Sequence, residues 1–477
     1  MKKGEVLELK IEDYAFEGKG VAKIDIPDES GNKKFVVFVN GTYPGDVVKA
    51  EIRRKKSRYA EAIVKEFINK APERVEAKCK YFGVCGGCKA QDLDYYKQVE
   101  YKAAQVKDIF ERIGGLTDFE IIPPLASEKV FFYRNKMEYS FADKRWLYPH
   151  EIKSDEEIQN RNFALGLHIP RMFDKVLDID ECFLQSEESN KILNFTRDFF
   201  RERGASIYST KTHEGYLRHL VIKHSHFTND IMVNLVTSEE NPEWMKEYTD
   251  ELLKILPEIT TVINNINEKK AQVAYGDYEI IYHGDGYIFD EIGDYKFRIS
   301  ANSFFQTNTI QAAELYRTAL EFADLKGDEV VYDLYSGAGT ISIYVSRSAK
   351  MVIGFETVHP AVEDAFYNAK LNEIDNVDFV TANLDKSFLP HLEERGYPNP
   401  DVIVADPPRG GMNPKTVNDI LKLLPEKIVY VSCNPSTQAR DIKLLVEGGY
   451  KLVKYQPVDM FPHTYHVENV ALLVREM

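Results

Sequence analysis

The sequence predicts an α/β protein of several domains: an N-terminal OB-like β-barrel, a mixed α/β centre that begins with a cysteine cluster, and a C-terminal doubly wound, Rossmann-like sheet. Three observations carry this reading. Residues 1–70 break into short strands separated by turn residues, three of the five cysteines fall within ten residues, and from about residue 294 apolar strands alternate with helical stretches.

A chain of 477 residues is too long for one core, so two or three domains are expected. The sequence sets their bounds at 1–70, 71–292 and 293–477. No apolar stretch approaches the length of a membrane span, and the opening MKKGEVLELKIEDYAF lacks a signal-type apolar segment. The expectation is a cytoplasmic protein with no membrane partner and no implied protein partner. Few cysteines, clustered, point in a reducing compartment to a metal or redox site and not to a disulfide framework.

The net charge of −15 argues against a chain that coats nucleic acid. It is unevenly spread. Residues 1–70 carry an excess of three positive charges, which leaves −18 for the remainder. The densest basic run, Arg53-Arg54-Lys55-Lys56 with Arg58, lies in that first segment and suits a local grip on RNA.

In order along the chain, strands are expected at Glu5–Lys10, Gly20–Ile26, Phe35–Asn40, Val47–Arg53 and Tyr59–Phe67, enough for a small closed barrel. After CKYFGVCGGC a helix is expected over Leu93–Ile113, with Tyr96, Val99, Ala103, Val106, Phe110 and Ile113 as its apolar stripe and Gly114-Gly115 as its stop. Strands at Leu220–His224 and Ile231–Val236 and a helix near Pro242–Leu256 mark the centre, while the polar stretch Asp143–Asn162 reads as a surface insertion. The C-terminal strands are expected at Val330–Leu334, Met351–Phe355, Val377–Thr381, Val402–Ala405, Ile428–Ser432, Leu452–Val458 and Ala471–Val474. Ligands of such sheets bind at the carboxyl ends of the strands.

The first strand end carries Asp333-Leu-Tyr335-Ser-Gly337-Ala-Gly339-Thr340, where Gly337 and Gly339 let the backbone turn tightly beside a ligand. Alone, such a loop fits a dinucleotide equally well. Glu356, 23 residues after Asp333, stands where a carboxylate can accept ribose hydroxyls, and Asn383 where an adenine would lie. Without a third glycine at pyrophosphate spacing or a Walker lysine, the loop favours S-adenosyl-L-methionine over NAD.

Asp406-Pro-Pro-Arg409-Gly-Gly follows the fourth strand, and its prolines stiffen a loop that presents Asp406 to the cleft. The motif suggests methyl transfer to a planar base without saying which atom. Cys433, in Val431-Ser-Cys-Asn-Pro435 after the fifth strand, points to carbon 5 of a uridine. That carbon is too electron-poor to attack a methyl sulfonium, so a thiolate must first add at C6, and a base must later remove the C5 proton. Glu468 in His463-Thr-Tyr-His-Val-Glu468 is the candidate base, and Asp406 a group that stabilises the enolate. An isolated cysteine is more often a buried small hydrophobe; its place beside a cofactor loop argues otherwise.

Cys79, Cys85 and Cys88, with Cys182 as the available fourth thiol, suit tetrahedral zinc or an iron–sulfur cluster. A structural clasp is expected, since methyl transfer moves no electrons.

In order and spacing, DLYSGAGT, DPPRGG, VSCNP and DMFPHTYHVENV resemble the RNA uracil-5-methyltransferase family, in the branch with an N-terminal TRAM domain and an iron–sulfur cluster that acts on 23S ribosomal RNA. The resemblance spans nearly the whole chain. It implies 4Fe–4S ligation by Cys79, Cys85, Cys88 and Cys182, cofactor contacts by Gln306, Tyr335, Glu356 and Asp406, Cys433 as nucleophile and Glu468 as base. Thr340 stands where some members carry Asn, and the Asp143–Asn162 stretch is not part of the pattern. Transfer RNA is the alternative substrate. Two rival readings are an amino-group methyltransferase, for which Cys433 is incidental, and a non-catalytic RNA-binding protein.

Overall fold

The computed structural model describes residues 1–28, 31–154 and 157–476. The N-terminal sheet has six strands in the order Val6–Lys10, Val47–Lys55, Tyr59–Asn69, Gly31–Asn40, Lys19–Asp28, Asp13–Ala15. Alternation drives it: Val48, Ala50 and Ile52 are fully buried with Leu9, Val37 and Val39, while the residues between them face outward. Asp13–Ala15 was not foreseen, because three residues are too short to show a period. Arg53, Arg54, Lys55, Lys56 and Arg58 are all exposed at one end of this unit.

The central sheet has seven strands, ordered Met172–Asp178, Ala164–Ile169, Lys136–Ala142, Leu217–His224, Ile231–Thr237, Ile259–Ile266, Tyr278–His283. Helices Glu187–Glu202 and Pro242–Ile255 bury their apolar stripes against it around Leu220, Val233 and Tyr248. Within Asp143–Asn162, Trp146 and Tyr148 pack on this core and Arg145 pairs with Glu151 at 2.6 Å, so that part of the stretch is anchored. Asp155 and Glu156 of the same stretch lie outside the described residues.

The C-terminal sheet has eight strands, ordered Val377–Thr381, Met351–Glu356, Val330–Leu334, Val402–Ala405, Lys427–Ser432, Glu468–Arg475, Tyr450–Val458, Glu120–Ile121. The first five run parallel, and Glu468–Arg475 is antiparallel to both its neighbours. Helices cover both faces, so these strands are continuous apolar runs and were visible in the sequence.

The helix expected over Leu93–Ile113 spans Tyr95–Arg112, capped by Asp94, whose side chain accepts from Lys97 N at 3.2 Å. Its buried face differs from the expected stripe. Tyr96 and Ile113 are exposed, whereas Gln98, Lys102 and Gln105 are buried beside Val99, Val106, Ile109 and Phe110. The reason lies in what the face meets: irregular backbone carbonyls, which need donors and not methyl groups. Gln105 Nε2 donates to the carbonyls of Tyr14 and Ala15, each at 3.2 Å. Although residues 95–121 lie within the stretch 71–292, Val106, Ile109 and Phe110 join the core of the C-terminal sheet, and Glu120–Ile121 is its edge strand. Among the described residues no helix is long and apolar enough to cross a membrane.

Candidate active site

The glycine loop expected to meet the cofactor leaves the strand Val330–Leu334 through three left-handed residues, Tyr335 (φ 69°), Gly337 (φ 54°) and Gly339 (φ 79°). Tyr335 N and Ser336 N both donate to Phe355 O, at 2.9 and 3.1 Å, which locks the turn onto the next strand. Any Cβ on Gly339 would meet the Phe379 ring at 2.8 Å, so this glycine lets the loop pack. A Cβ on Gly337 would meet nothing within 4 Å, leaving its backbone open to a ligand.

Glu356 accepts from Gly337 N at 3.0 Å and from Val358 N at 2.8 Å, fixing its carboxylate at the strand end. Asn383 is exposed two residues beyond Val377–Thr381, and its Oδ1 accepts from Asp385 N at 2.9 Å. Gln306 is buried, its carbonyl held by Asn135 Nδ2 at 2.7 Å. Thr340 Oγ1 is paired with Tyr316 Oη at 3.0 Å.

Asp333 is a feature the sequence did not single out as a ligand. It is fully buried, Ser342 Oγ donates to its Oδ2 at 2.6 Å, and its Oδ1 has no partner. Burial pushes its carboxyl up to about 7. Ser336 Oγ is also buried and unpartnered, whereas Tyr335 Oη is buried beside Thr416 and Asn413. Two orphaned polar atoms beside one glycine loop are what a polar ligand would satisfy.

Strand register builds the rest. Ser432 pairs with Asn469 in the antiparallel ladder, so the next step places Cys433 across from Glu468. Ala405 pairs with Leu334 on one side and Tyr430 on the other, which brings Asp406 to the same edge, its N–H donating to Leu334 O at 3.2 Å. Asn434 Nδ2 and Thr437 Oγ1 donate to Arg409 O at 3.0 and 3.3 Å, tying the DPPR loop to the helix after Cys433.

These groups feel one another. Glu468 is buried, and desolvation followed by the nearby Asp406 holds its carboxyl far above the usual range, against the pull of Arg409. Burial, then Asp333, pushes Asp406 up to about 7. Cys433 is half-buried, and burial, then Glu468 and Asp406, pushes its thiol up to about 11, with Arg409 pulling it down. A thiol, two proton-holding carboxyls and one exposed guanidinium thus share the carboxyl edge of the sheet, next to the cofactor loop. Arg409 was named in the sequence only as part of a motif; here its guanidinium favours the charged forms of both Cys433 and Glu468.

Cys79, Cys85, Cys88 and Cys182 line a second, separate cavity together with Phe82, Leu167 and Leu184. Gly87 N and Gln91 Nε2 point at the Cys85 and Cys88 sulfurs, each at 3.3 Å. Burial pushes the Cys88 thiol up to about 12 and that of Cys182 up to about 11. Among the described residues no group of three or more His, Cys, Asp or Glu forms a set that could hold a metal ion as the side chains stand.

Residues 224–476 match the family model described as tRNA (Uracil-5-)-methyltransferase, and residues 1–65 match the TRAM domain. The chain is 44% identical over 476 residues to an uncharacterized RNA methyltransferase of Chlorobaculum tepidum, covering 99% of this chain and 97% of that one. A Bacteroides thetaiotaomicron RNA methyltransferase, also uncharacterized, is 45% identical over 463 residues, or 96% and 99% of the two chains. Among solved structures, the tRNA (uracil-54, C5)-methyltransferase of Pyrococcus abyssi in complex with S-adenosyl-L-homocysteine superposes with a TM-score of 0.74 at 30% identity, covering 98% of this chain and all of that one. The RNA-binding barrel, the Rossmann-like sheet and the cofactor loop therefore have one explanation: the chain belongs to the RNA uracil-5-methyltransferase family, enzymes that use S-adenosylmethionine.

Proposed function

We propose that the protein methylates carbon 5 of a specific uridine in RNA through a covalent adduct between Cys433 and C6 of the base. The observation that supports this is the Ser432–Asn469 register, which Cys433 and Glu468 adjoin, with Glu468 and Asp406 both near enough to bear on the thiol. The 335–339 loop, Gln306, Glu356 and Asn383 would hold S-adenosyl-L-methionine, which would supply the methyl group, and Asp333 and Ser336 have unsatisfied polar atoms to offer it.

The protein's own groups do the remainder. Cys433 passes its proton to Asp406, whose carboxyl, pushed up to about 7, is partly ionised near neutral pH, and its sulfur adds to C6. That converts the ring to an enolate nucleophilic at C5, and Asp406 is placed to hydrogen-bond the ring edge. After methylation Glu468 takes the C5 proton, the C5=C6 bond re-forms, and the C6–S electron pair returns to sulfur. Arg409 lowers the cost of charge on both Cys433 and Glu468.

A 4Fe–4S cluster on the four clustered thiols is part of this proposal: they line one largely apolar cavity, with N–H donors aimed at two of the sulfurs. Cys79, Cys85, Cys88 and Cys182 would hold it as a clasp between residues 79–88 and the central sheet, with no electron transfer in the reaction.

The substrate read from the sequence is 23S ribosomal RNA. Full-length similarity to the Pyrococcus abyssi enzyme favours transfer RNA as the second reading. Methyl-labelled cofactor offered with each RNA, followed by nucleoside digestion, separates them: 5-methyluridine should appear from one. An N-methylated base, or turnover retained in Cys433→Ala, would overturn the proposal.

A further inference from the structure

The segment between the last two long strands, residues 459–466, has no helix or strand of its own and leads directly into Glu468. Its shape is dictated from outside. Lys102, on the helix Tyr95–Arg112, is buried and donates from Nζ to Asp459 Oδ1 at 2.7 Å and to Phe461 O at 3.0 Å. Asp459 Oδ1 also accepts from Phe461 N at 3.1 Å. One helical turn earlier, Gln98 Oε1 accepts from His463 N at 2.9 Å, while its Nε2 lies 3.2 Å from His463 Nδ1. His463 sits in the left-handed region at φ 65°, a conformation costly for a non-glycine residue and held here by these contacts. Lys89 N and Ala90 N, just past the third clustered cysteine, donate to His463 O at 2.7 and 3.1 Å. Asn308 Nδ2, two residues beyond Gln306, donates to Met460 O at 3.1 Å.

A buried ammonium–carboxylate pair is a poor way to gain stability. Desolvating both ions costs several kcal/mol, and apolar replacements of similar volume are often no worse. What the pair provides is direction: a charged donor fixed on a rigid helix, gripping two points of an irregular segment.

We propose that Lys102, Asp459 and Gln98 are positioning residues that set where Glu468 stands relative to Cys433, and so control the step in which the C5 proton leaves and the C6–S bond breaks. None of the three is placed at the reacting atoms. The proposal rests on the role given above to Glu468. Loosening the segment should leave sulfur addition and methyl transfer running while the methylated adduct resolves slowly. Electron and proton accounting is unchanged: the C5 proton passes to the Glu468 carboxylate and the C6–S pair returns to Cys433.

The test uses the full chain with methyl-labelled cofactor and end-labelled substrate RNA in single turnover, following S-adenosylhomocysteine release and the protein–RNA complex that survives denaturing electrophoresis. The double variant Lys102→Met, Asp459→Asn removes the pair without leaving a lone buried charge. Gln98→Leu, which buries no charge, provides an independent loosening should the double variant fail to fold. The expected result, in a variant with wild-type melting temperature and S-adenosylhomocysteine affinity, is S-adenosylhomocysteine formation within about threefold of wild type and adduct resolution at least tenfold slower. Resolution at the wild-type rate, or an equal loss in both steps, overturns the proposal. Wild-type enzyme that yields no 5-methyluridine and forms no complex with 5-fluorouridine RNA would instead sink the reading of Cys433 and Glu468 themselves.

Discussion

Cys433 follows Ser432 and Glu468 precedes Asn469 where those two residues close an antiparallel ladder, and the Glu468 carboxyl is near enough to raise the Cys433 thiol. The proposed nucleophile and base therefore sit at the ends of neighbouring strands of one sheet, and the ladder limits how far apart they can lie.

This predicts a split phenotype for Glu468→Gln. The variant should still add to the base and accept the methyl group, yet release methylated RNA about 10²–10⁴-fold more slowly. Denaturing gels should show a stable protein–RNA complex that contains the transferred methyl. Loss of the adduct together with the product would remove Glu468 from the proton-removal step.

Arg409 pulls the acidities of both Cys433 and Glu468 toward their charged forms. Replacing it by Gln raises both, so the ionised species the reaction uses form only at higher pH. The acid limb of kcat/KM should move up by about one pH unit, with activity at pH 7 lowered by up to about tenfold and partly recovered at pH 9. The pH profile checks this, and an unmoved limb would contradict it.

Asp333 is held up at about 7 by burial, well above an ordinary aspartate. A raised carboxyl means the folded state binds the extra proton between pH 4 and pH 7. Its contribution to stability therefore declines as pH rises through that window and stays low above it. Asp333→Asn should raise the melting temperature of the ligand-free protein at pH 8 by about 2–4 °C. The same change should weaken S-adenosylhomocysteine binding at least tenfold by titration calorimetry, because the unpartnered Oδ1 is no longer an anion.

The cysteine cavity predicts iron and acid-labile sulfide in equal amounts in protein purified without oxygen. Cys88→Ser or Cys182→Ser should lose both and melt lower, since residues 79–88 would no longer be clasped to the central sheet. S-adenosylhomocysteine affinity should persist, because the cofactor loop lies on another sheet. Zinc in place of iron would contradict the assignment.

The parts of this molecule that could be read in advance are those whose partners are near in sequence or whose environment is uniform. Parallel strands buried on both faces are apolar throughout, so Val330–Leu334 and Val402–Ala405 were visible, and with them the loops at their ends that carry Tyr335 and Asp406. The helix Tyr95–Arg112 could be seen, but not its orientation. Gln98, Lys102 and Gln105 have the composition of a solvated face, and only carbonyls and a carboxylate brought from far away in the chain make them internal. The left-handed turn at His463 and the orphaned oxygen of Asp333 were hidden for the same reason: each depends on what surrounds it in three dimensions.

The most direct measurement is trapping with RNA in which the target uridine is 5-fluorouridine, in the presence of S-adenosylmethionine. Fluorine cannot leave as a proton does, so the methylated adduct should persist, and peptide mass spectrometry should find it on Cys433. An adduct on another residue, or complete methylation of ordinary RNA with no trapped complex from the fluorinated substrate, would contradict the account.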